Sequence, residues 1–200
     1  VLAGGAGRRL GRVDKPGLLH HGRRLVDIAL SAVEPALTVV VGPGRVLPAG
    51  ILQAREDPPG GGPAAGLLAG LTALRDYLGV PCPGPDDLVV VLASDLPGIN
   101  RRDIQSLHEA IRRDGIDGAV LTDPGGRPQY LAGVWRWRAL LDSAERRTCW
   151  HNGRLSDLLA PLIGAVVPVD EVASADVDRP EDVVRWRLQA PASHPPDDGS

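Results

Sequence analysis

Five short apolar runs, rich in β-branched residues and bounded by turn formers, punctuate the chain: residues 37–41 (LTVVV), 88–93 (LVVVLA), 118–122 (GAVLT), 131–135 (LAGVW) and 165–169 (AVVPV). Runs of this length and composition predict strands. They are continuous rather than alternating, which fits strands covered on both faces, as in a parallel sheet. Between them the apolar spacing turns helical. Leu25, Ile28, Ala29, Ala32 and Val33 share one helical face, and Leu67, Leu71, Leu74 and Leu78 recur at spacings of four, three and four. Asn100 is an N-cap with Asp103 three residues on, ahead of Ile104, Leu107 and Ile111. Residues 154–159 and 180–188 predict later helices, the second opening on Pro180, a residue suited to the first helical turn. Strand–helix alternation of this kind predicts a three-layer α/β domain with a mostly parallel central sheet and right-handed crossovers. We expect one domain over residues 1–189 and a disordered, proline-rich polar tail over 190–200. The chain holds no methionine, and residues 1–3 resemble the end of a strand, so a few residues are expected to precede Val1.

Composition narrows the function classes. The 22 basic and 25 acidic residues leave a net charge of −3, which argues against a general nucleic-acid binder and against a polybasic membrane anchor. No apolar run approaches the length of a membrane span. Cys82 and Cys149 are too few for a disulfide framework or a cysteine-rich zinc site, so a reducing, cytoplasmic setting is expected.

The chemistry is concentrated at the start. In VLAGGAGRRLGRVDK, residues 1–15, a strand end runs into a loop with Gly4, Gly5, Gly7 and Gly11 among Arg8, Arg9, Arg12 and Lys15. Glycines let the backbone approach an anion closely, successive N–H groups form an anion-binding concavity, and the cationic side chains add full charge against a polyphosphate. The loop therefore reads as a triphosphate cradle at the carboxyl end of a first strand, where open α/β sheets bind ligands. It is not a Walker A loop, since Lys15 follows Asp14 and precedes Pro16, and it lacks the third glycine of the dinucleotide fingerprint, where Leu10 stands. A second constellation, VVVLASDLPGI (residues 89–99), places Asp95 just past the end of the strongest strand. A carboxylate there, facing a phosphate loop, is placed to hold Mg²⁺, an ion that needs only one or two carboxylates beside substrate phosphates and water. His20 and His21 are adjacent and cannot share one face, Trp135 and Trp137 read as core or rim residues, and both cysteines read as ordinary thiols.

LAGGAGRRLGRVDKP, EDPPGGGPAAGLLAGL, LASDLPGI, GRPQYLAGVWR and ADVDRPED, in this order from residue 2 to residue 182, resemble the molybdenum cofactor guanylyltransferase family of Rossmann-like nucleotidyltransferases. The resemblance implies transfer of GMP from GTP to the terminal phosphate of Mo-molybdopterin, with release of pyrophosphate. Leu2, Ala3 and Gly4, with Gly5 beside them, match the family's nucleotide-contacting strand end, Arg9 its loop arginine, Lys15 the lysine on the triphosphate, and Asp57 an acidic nucleotide contact. Asp95 matches the residue that touches both nucleotide and Mg²⁺, and Gly62, Pro63 and Gly66 match a second glycine-rich turn before a helix. Two departures stand out. The family's nucleoside-holding asparagine near the end of its second long strand is replaced by Gly42 and Pro43, and its late Asn-x-Asn motif by Asp176 and Asp178.

A phosphate monoester acceptor is already ionised at neutral pH, so the reaction needs positioning and charge neutralisation more than a strong base. The expected roles are Mg²⁺ on Asp95 with Asp178 as a second acid, Lys15 and Arg9 on the β- and γ-phosphates, and Arg127, Pro128, Gln129 and Tyr130 as the acceptor wall. The expected partners are GTP and a molybdopterin-type phosphate, for a monomer or weak oligomer. CTP or a sugar phosphate as substrate, and a non-catalytic nucleotide-binding module, are the alternatives.

Overall fold

The structure is a computed structural model that describes residues 1–4, 13–79, 84, 86–113 and 115–191. The remaining residues, Gly5, Arg9 and Cys82 among them, lie outside the described residues.

Two sheet fragments are joined by the N-terminal segment. Strand β3 (Val39–Val41) pairs in parallel with β4 (Leu52–Ala54). Strands β5 (Leu88–Leu92), β6 (Gly118–Thr122), β7 (Pro128–Arg136) and β8 (Ile163–Pro168) form a sheet in the order β5-β7-β6-β8. Leu2 bridges in parallel to Val41 on one side and Ala93 on the other. Its amide donates to the Leu92 carbonyl at 2.7 Å, and the Ala3 amide to the Val41 carbonyl at 2.8 Å. The resulting sheet is mostly parallel. Its exception is β7, which runs antiparallel to both β5 and β6. The apolar run at 131–135 looks like the others in sequence. It is instead the return arm of a hairpin: the Asp123 amide donates to the Arg127 carbonyl at 3.1 Å and the Gly126 amide to the Asp123 carbonyl at 2.8 Å, with Gly126 at φ 76°. Buried apolar composition reports cover on both faces, and β7 has that cover in the opposite direction.

Helices cover both faces. Strand β5 shows how: Leu92 packs with helix α1 (Leu25–Val33) and helix α3 (Arg101–Ile111), while Val89 and Val91 face helix α2 (Gly62–Leu78) and helix α4 (Trp137–Ala144). This is the period-2 alternation of a strand, with both sides apolar because both are covered. Helix α3 begins as its sequence predicts. Asn100 accepts from the amides of Arg102 and Asp103, and Asp103 accepts from the Asn100 amide at 3.0 Å, a reciprocal capping box. Helix α2 stops at Gly79, whose φ of 64° suits glycine.

Several short elements escaped the sequence reading. The three residues of β4 (LQA) carry a glutamine at their centre and form no apolar run. The two-residue strands β1 (Leu19–His20) and β2 (Arg23–Arg24) form a hairpin too short for a periodicity. Helix α4 follows β7 directly, opening on the buried Trp137. The last helices are shorter than expected: α5 spans Leu155–Leu159, and α7 spans Pro180–Arg185, after the one-turn α6 (Glu171–Ser174).

Packing is tight where β6 meets β7. Gly118 lies against the fully buried Trp135, and a β-carbon on Gly118 would fall inside the van der Waals shell of that ring. Gly118→Ala is therefore expected to lower unfolding free energy by about 2 kcal/mol, through overpacking of a dense core, read as a lower urea midpoint with an unchanged m-value.

Candidate active site

The parallel sheet brings three chain segments to one edge, at the carboxyl ends of the N-terminal segment, β3 and β5. The first is the strand end at Ala3 and Gly4. Gly42, at the end of β3, crosses close beside it, so that a β-carbon on Gly42 would stand 2.6 Å from the Ala3 carbonyl oxygen. With φ at 149° as well, the position admits only glycine. That is the local reason no asparagine stands there: the backbone fills the space a side chain would need.

The second segment carries Lys15. It opens a short 3₁₀ turn (Lys15–Gly17) in which Pro16 and Gly17 are buried. The third is the turn after β5, which carries Asp95. The Asp95 carbonyl accepts from the Val177 amide at 3.1 Å, and this backbone bond draws residues 176–178 against the same turn. Val177 is fully buried and anchors the segment in the core. The Asp182 carboxylate of α7 then receives the amides of Asp178 and Arg179 at 2.9 and 2.8 Å.

These segments bring Lys15, Asp95 and Asp178 together. Lys15 Nζ lies 2.6 Å from Asp178 Oδ1 and 3.6 Å from Asp95 Oδ2. The Lys15 side chain is only 15% exposed. Burial pushes the Asp95 carboxyl above the ordinary carboxylate range; Lys15 opposes that shift, and the neighbouring acids Asp176 and Asp178 add to it. Asp176 is also raised, by burial and by Asp178. Two carboxylates within reach of one cation fit Mg²⁺, which keeps several waters and takes one or two carboxylates plus phosphates. Among the described residues, no group of three His, Cys, Asp or Glu side chains has metal-holding geometry. The set suits a metal completed by substrate.

Arg45, in the loop after β3, is a contributor that sequence reasoning missed. Its Nη2 donates to the Ala3 carbonyl at 3.2 Å, and its Nη1 lies 3.3 and 3.4 Å from the two oxygens of Asp14. One guanidinium thus spans the strand end and the residue before Lys15. A lone arginine in a proline- and glycine-rich loop carries no pattern that announces this. Another sequence signal was available: Lys15 is the only lysine in the chain, every other one of the 22 basic residues being arginine.

The other expected site residues are placed as follows. Leu2, Ala3 and Gly4 lie at the strand end beside Gly42. Asp57 is exposed between β4 and α2, ahead of a turn whose Gly60 and Gly62 have φ of 86° and 84°. Gly60 donates to Glu56 at 2.9 Å, and the Asn152 amide donates to the Gly61 carbonyl at 2.8 Å. Arg127 is tied to Asp123 at 3.1 Å on the exposed β6–β7 turn. Pro128, Gln129 and Tyr130 open β7, the strand whose Leu131 carbonyl accepts from the Ala93 amide at 2.7 Å, two residues before Asp95. His20 is engaged elsewhere, its Nδ1 lying 2.8 Å from the Trp186 carbonyl. A cavity of about 690 Å³ lined by Val1, Val39, Leu88 and Trp137 lies at the opposite, amino end of the strands, away from Lys15 and Asp95.

Residues 1–166 match the MobA-like NTP transferase domain. The chain belongs to the MobA-like NTP transferase family. It is thus a nucleotidyltransferase. Among curated members, the molybdenum cofactor guanylyltransferase of Bradyrhizobium sp. (strain ORS 278) is 32% identical over 189 residues, covering 88% of this chain and 85% of that protein. The molybdenum cofactor guanylyltransferase of Cereibacter sphaeroides (strain ATCC 17029 / ATH 2.4.9) is 28% identical over 198 residues, covering 92% of each. Solved structures share the fold of this MobA-like domain. Molybdopterin-guanine dinucleotide biosynthesis protein A from Archaeoglobus fulgidus superposes with a TM-score of 0.66 at 20% identity, covering 92% of this chain and 94% of that one. The 2-C-methyl-D-erythritol 4-phosphate cytidylyltransferase from Thermus thermophilus does so with 0.61 at 19%, covering 92% and 95%. Among the described residues, no helix is long and apolar enough to cross a membrane.

The raised Asp95 has a consequence for stability. A carboxyl whose pKa is higher in the folded chain than in the unfolded one favours folding when protonated and disfavours it when ionised. The penalty is absent below the ordinary value of 3.8 and fully present above the raised value. Asp95→Asn, which leaves Lys15 its pair with Asp178, is expected to raise the melting temperature at pH 7 by about 2 °C. The gain should vanish as the pH falls to about 4, as followed by scanning calorimetry across that range.

Proposed function

We propose that this chain transfers GMP from GTP to the terminal phosphate of a molybdopterin-type acceptor and releases pyrophosphate. The observation that carries the reading is the meeting of Lys15, Asp95 and Asp178 at the carboxyl edge of the sheet, with 2.6 and 3.6 Å separating the ammonium from the two acids. The curated relatives, named as molybdenum cofactor guanylyltransferases and matched over most of their length, supply the substrate class.

In this reading Leu2, Ala3, Gly4 and Gly5 form the nucleotide-binding backbone and Asp57 is an acidic contact to the nucleotide. Asp95 and Asp178 would hold Mg²⁺, which when bound would supply neutralisation of the phosphate charge. The problem the protein solves is one anion approaching another. Lys15 and Arg9 answer it on the donor side by holding the β- and γ-phosphates and stabilising pyrophosphate as it leaves. The acceptor is an ionised monoester and enters without a proton to remove. Arg127 on the β6–β7 turn and Pro128, Gln129 and Tyr130 at the start of β7 form the acceptor wall and orient the acceptor. Arg45 acts one step back, through Ala3 and Asp14.

A second reading has its own support. Asp176 and Asp178 stand where the guanylyltransferase pattern carries asparagines, and related cytidylyltransferases carry aspartate there. CTP in place of GTP would leave the chemistry of Lys15 and Asp95 unchanged.

The test is a nucleotide panel with pyrophosphate detection, with and without molybdopterin. Release is expected from GTP, dependent on acceptor and abolished by excess chelator, and Lys15→Ala should lower turnover about a hundredfold, as removal of an anion-stabilising donor does. Turnover with CTP alone would select the second reading, and full activity of Lys15→Ala would remove both.

A further inference from the structure

The residue expected to hold the triphosphate is not turned toward solvent to wait for it. Lys15 Nζ sits between Asp178 and Asp95, at 2.6 and 3.6 Å, and little of its side chain is exposed. The two acids are fixed from behind. Val177 is buried and its amide bonds the Asp95 carbonyl, while the Asp178 amide is held by Asp182. The adaptable member is the lysine, a compact point charge on a four-carbon stem. Its ammonium occupies the space between the same two carboxylates to which the transferase reading gives the divalent cation. Two cations cannot share that space, because unscreened like charges a few ångströms apart repel strongly.

We propose that Lys15 is the resident counter-cation of Asp95 and Asp178, that a divalent cation enters between them only when the ammonium leaves, and that Asp178 is the positioning residue that parks it. The inference rests on the transferase reading of the site and adds the order it imposes. With no nucleotide present, driving the ammonium out forfeits its contacts with both acids without return, so metal alone binds poorly. A nucleotide supplies the partner: its β- and γ-phosphates receive Lys15, and the vacated acids become available. Metal and nucleotide then favour each other's binding, and by linkage the coupling is equal in both directions. Metal-loaded acids without substrate are thereby disfavoured.

The sign of this effect is unusual, which makes it testable on the full chain. Removing a lysine from a phosphate site ordinarily weakens the site. Here Lys15→Gln, freed of bound metal by chelator, should bind Mn²⁺ in the absence of nucleotide at least about tenfold more tightly than the unaltered chain, read from the free-ion paramagnetic resonance signal; couplings between sites commonly reach that size. In the unaltered chain, Mn²⁺ affinity should rise by a similar factor on adding α,β-methylene GTP. Because the sequence contains a single lysine, ¹³C-lysine labelling gives one ε-methylene resonance, a direct report on Lys15. Asp178→Asn should shift it in the ligand-free protein. Mn²⁺ affinity in Lys15→Gln equal to or weaker than in the unaltered chain overturns the proposal. Should that variant not fold, an ε-methylene resonance unmoved by Asp178→Asn overturns it instead. The outcomes separate from those of the transferase reading: failure to release pyrophosphate from any nucleotide removes the reaction but leaves the metal titration as it stands.

Discussion

An ammonium held between two carboxylates is the contact around which the functional edge of this protein is arranged. It joins parts of the chain that lie far apart in sequence, Lys15 and Asp178 being 163 residues apart. Every element that frames it contributes a restraint: the turn after β5 through the Asp95 carbonyl, the buried Val177, and the carboxylate of Asp182 behind Asp178. Burial, with the neighbouring acids adding to it, raises the pKa of Asp95 and Asp176 against the attraction of Lys15. A fold selected for stability alone has no reason to gather such acids, since desolvated like charges are costly. A site that must receive a metal and a polyanion has one.

A second constraint is the crossing of the N-terminal segment by β3. Leu2 is the bridge between two sheet fragments, and Gly42 must pass the Ala3 carbonyl with no side chain of its own. This closeness explains a departure from the family pattern that is puzzling when read as a list of residues. Once the backbones touch, an asparagine at that position has nowhere to go. Arg45 reaches the same strand end from the following loop and joins it to Asp14, so the strand end and the residue before Lys15 are tied together by a guanidinium. Its planar fork suits such a two-sided grip, whereas the single lysine suits the exchangeable position.

Much of the architecture was legible along the chain because local rules governed it. The β-branched run at 118–122 became β6 without adjustment, and Asn100 with Asp103 formed the capping box that their spacing predicts. The phosphate loop and Asp95 stood out because glycine beside basic residues, and an acid at a strand end, have few structural reasons to exist. What stayed hidden was short, irregular or non-local. Strand β4 carries a central glutamine, and Arg45 is one arginine among many. The reversal of β7 left no trace in its apolar run, since burial on two faces demands the same residues in either direction.

The boundary between the two kinds of knowledge is physical. Periodicity, caps and turn chemistry act over a few residues, so the chain alone specified its longer strands and helices, their layering and the chemical character of its first fifteen residues. Pairing direction, the fit of Gly42 against Ala3 and the convergence of Lys15 with Asp95 and Asp178 depend on contacts between distant segments. Such contacts come into being only when a core is buried and the backbone hydrogen bonds of a sheet are satisfied. For that reason the acids that surround Lys15 could be proposed from their types and order, but their hold on it became visible only in the folded chain.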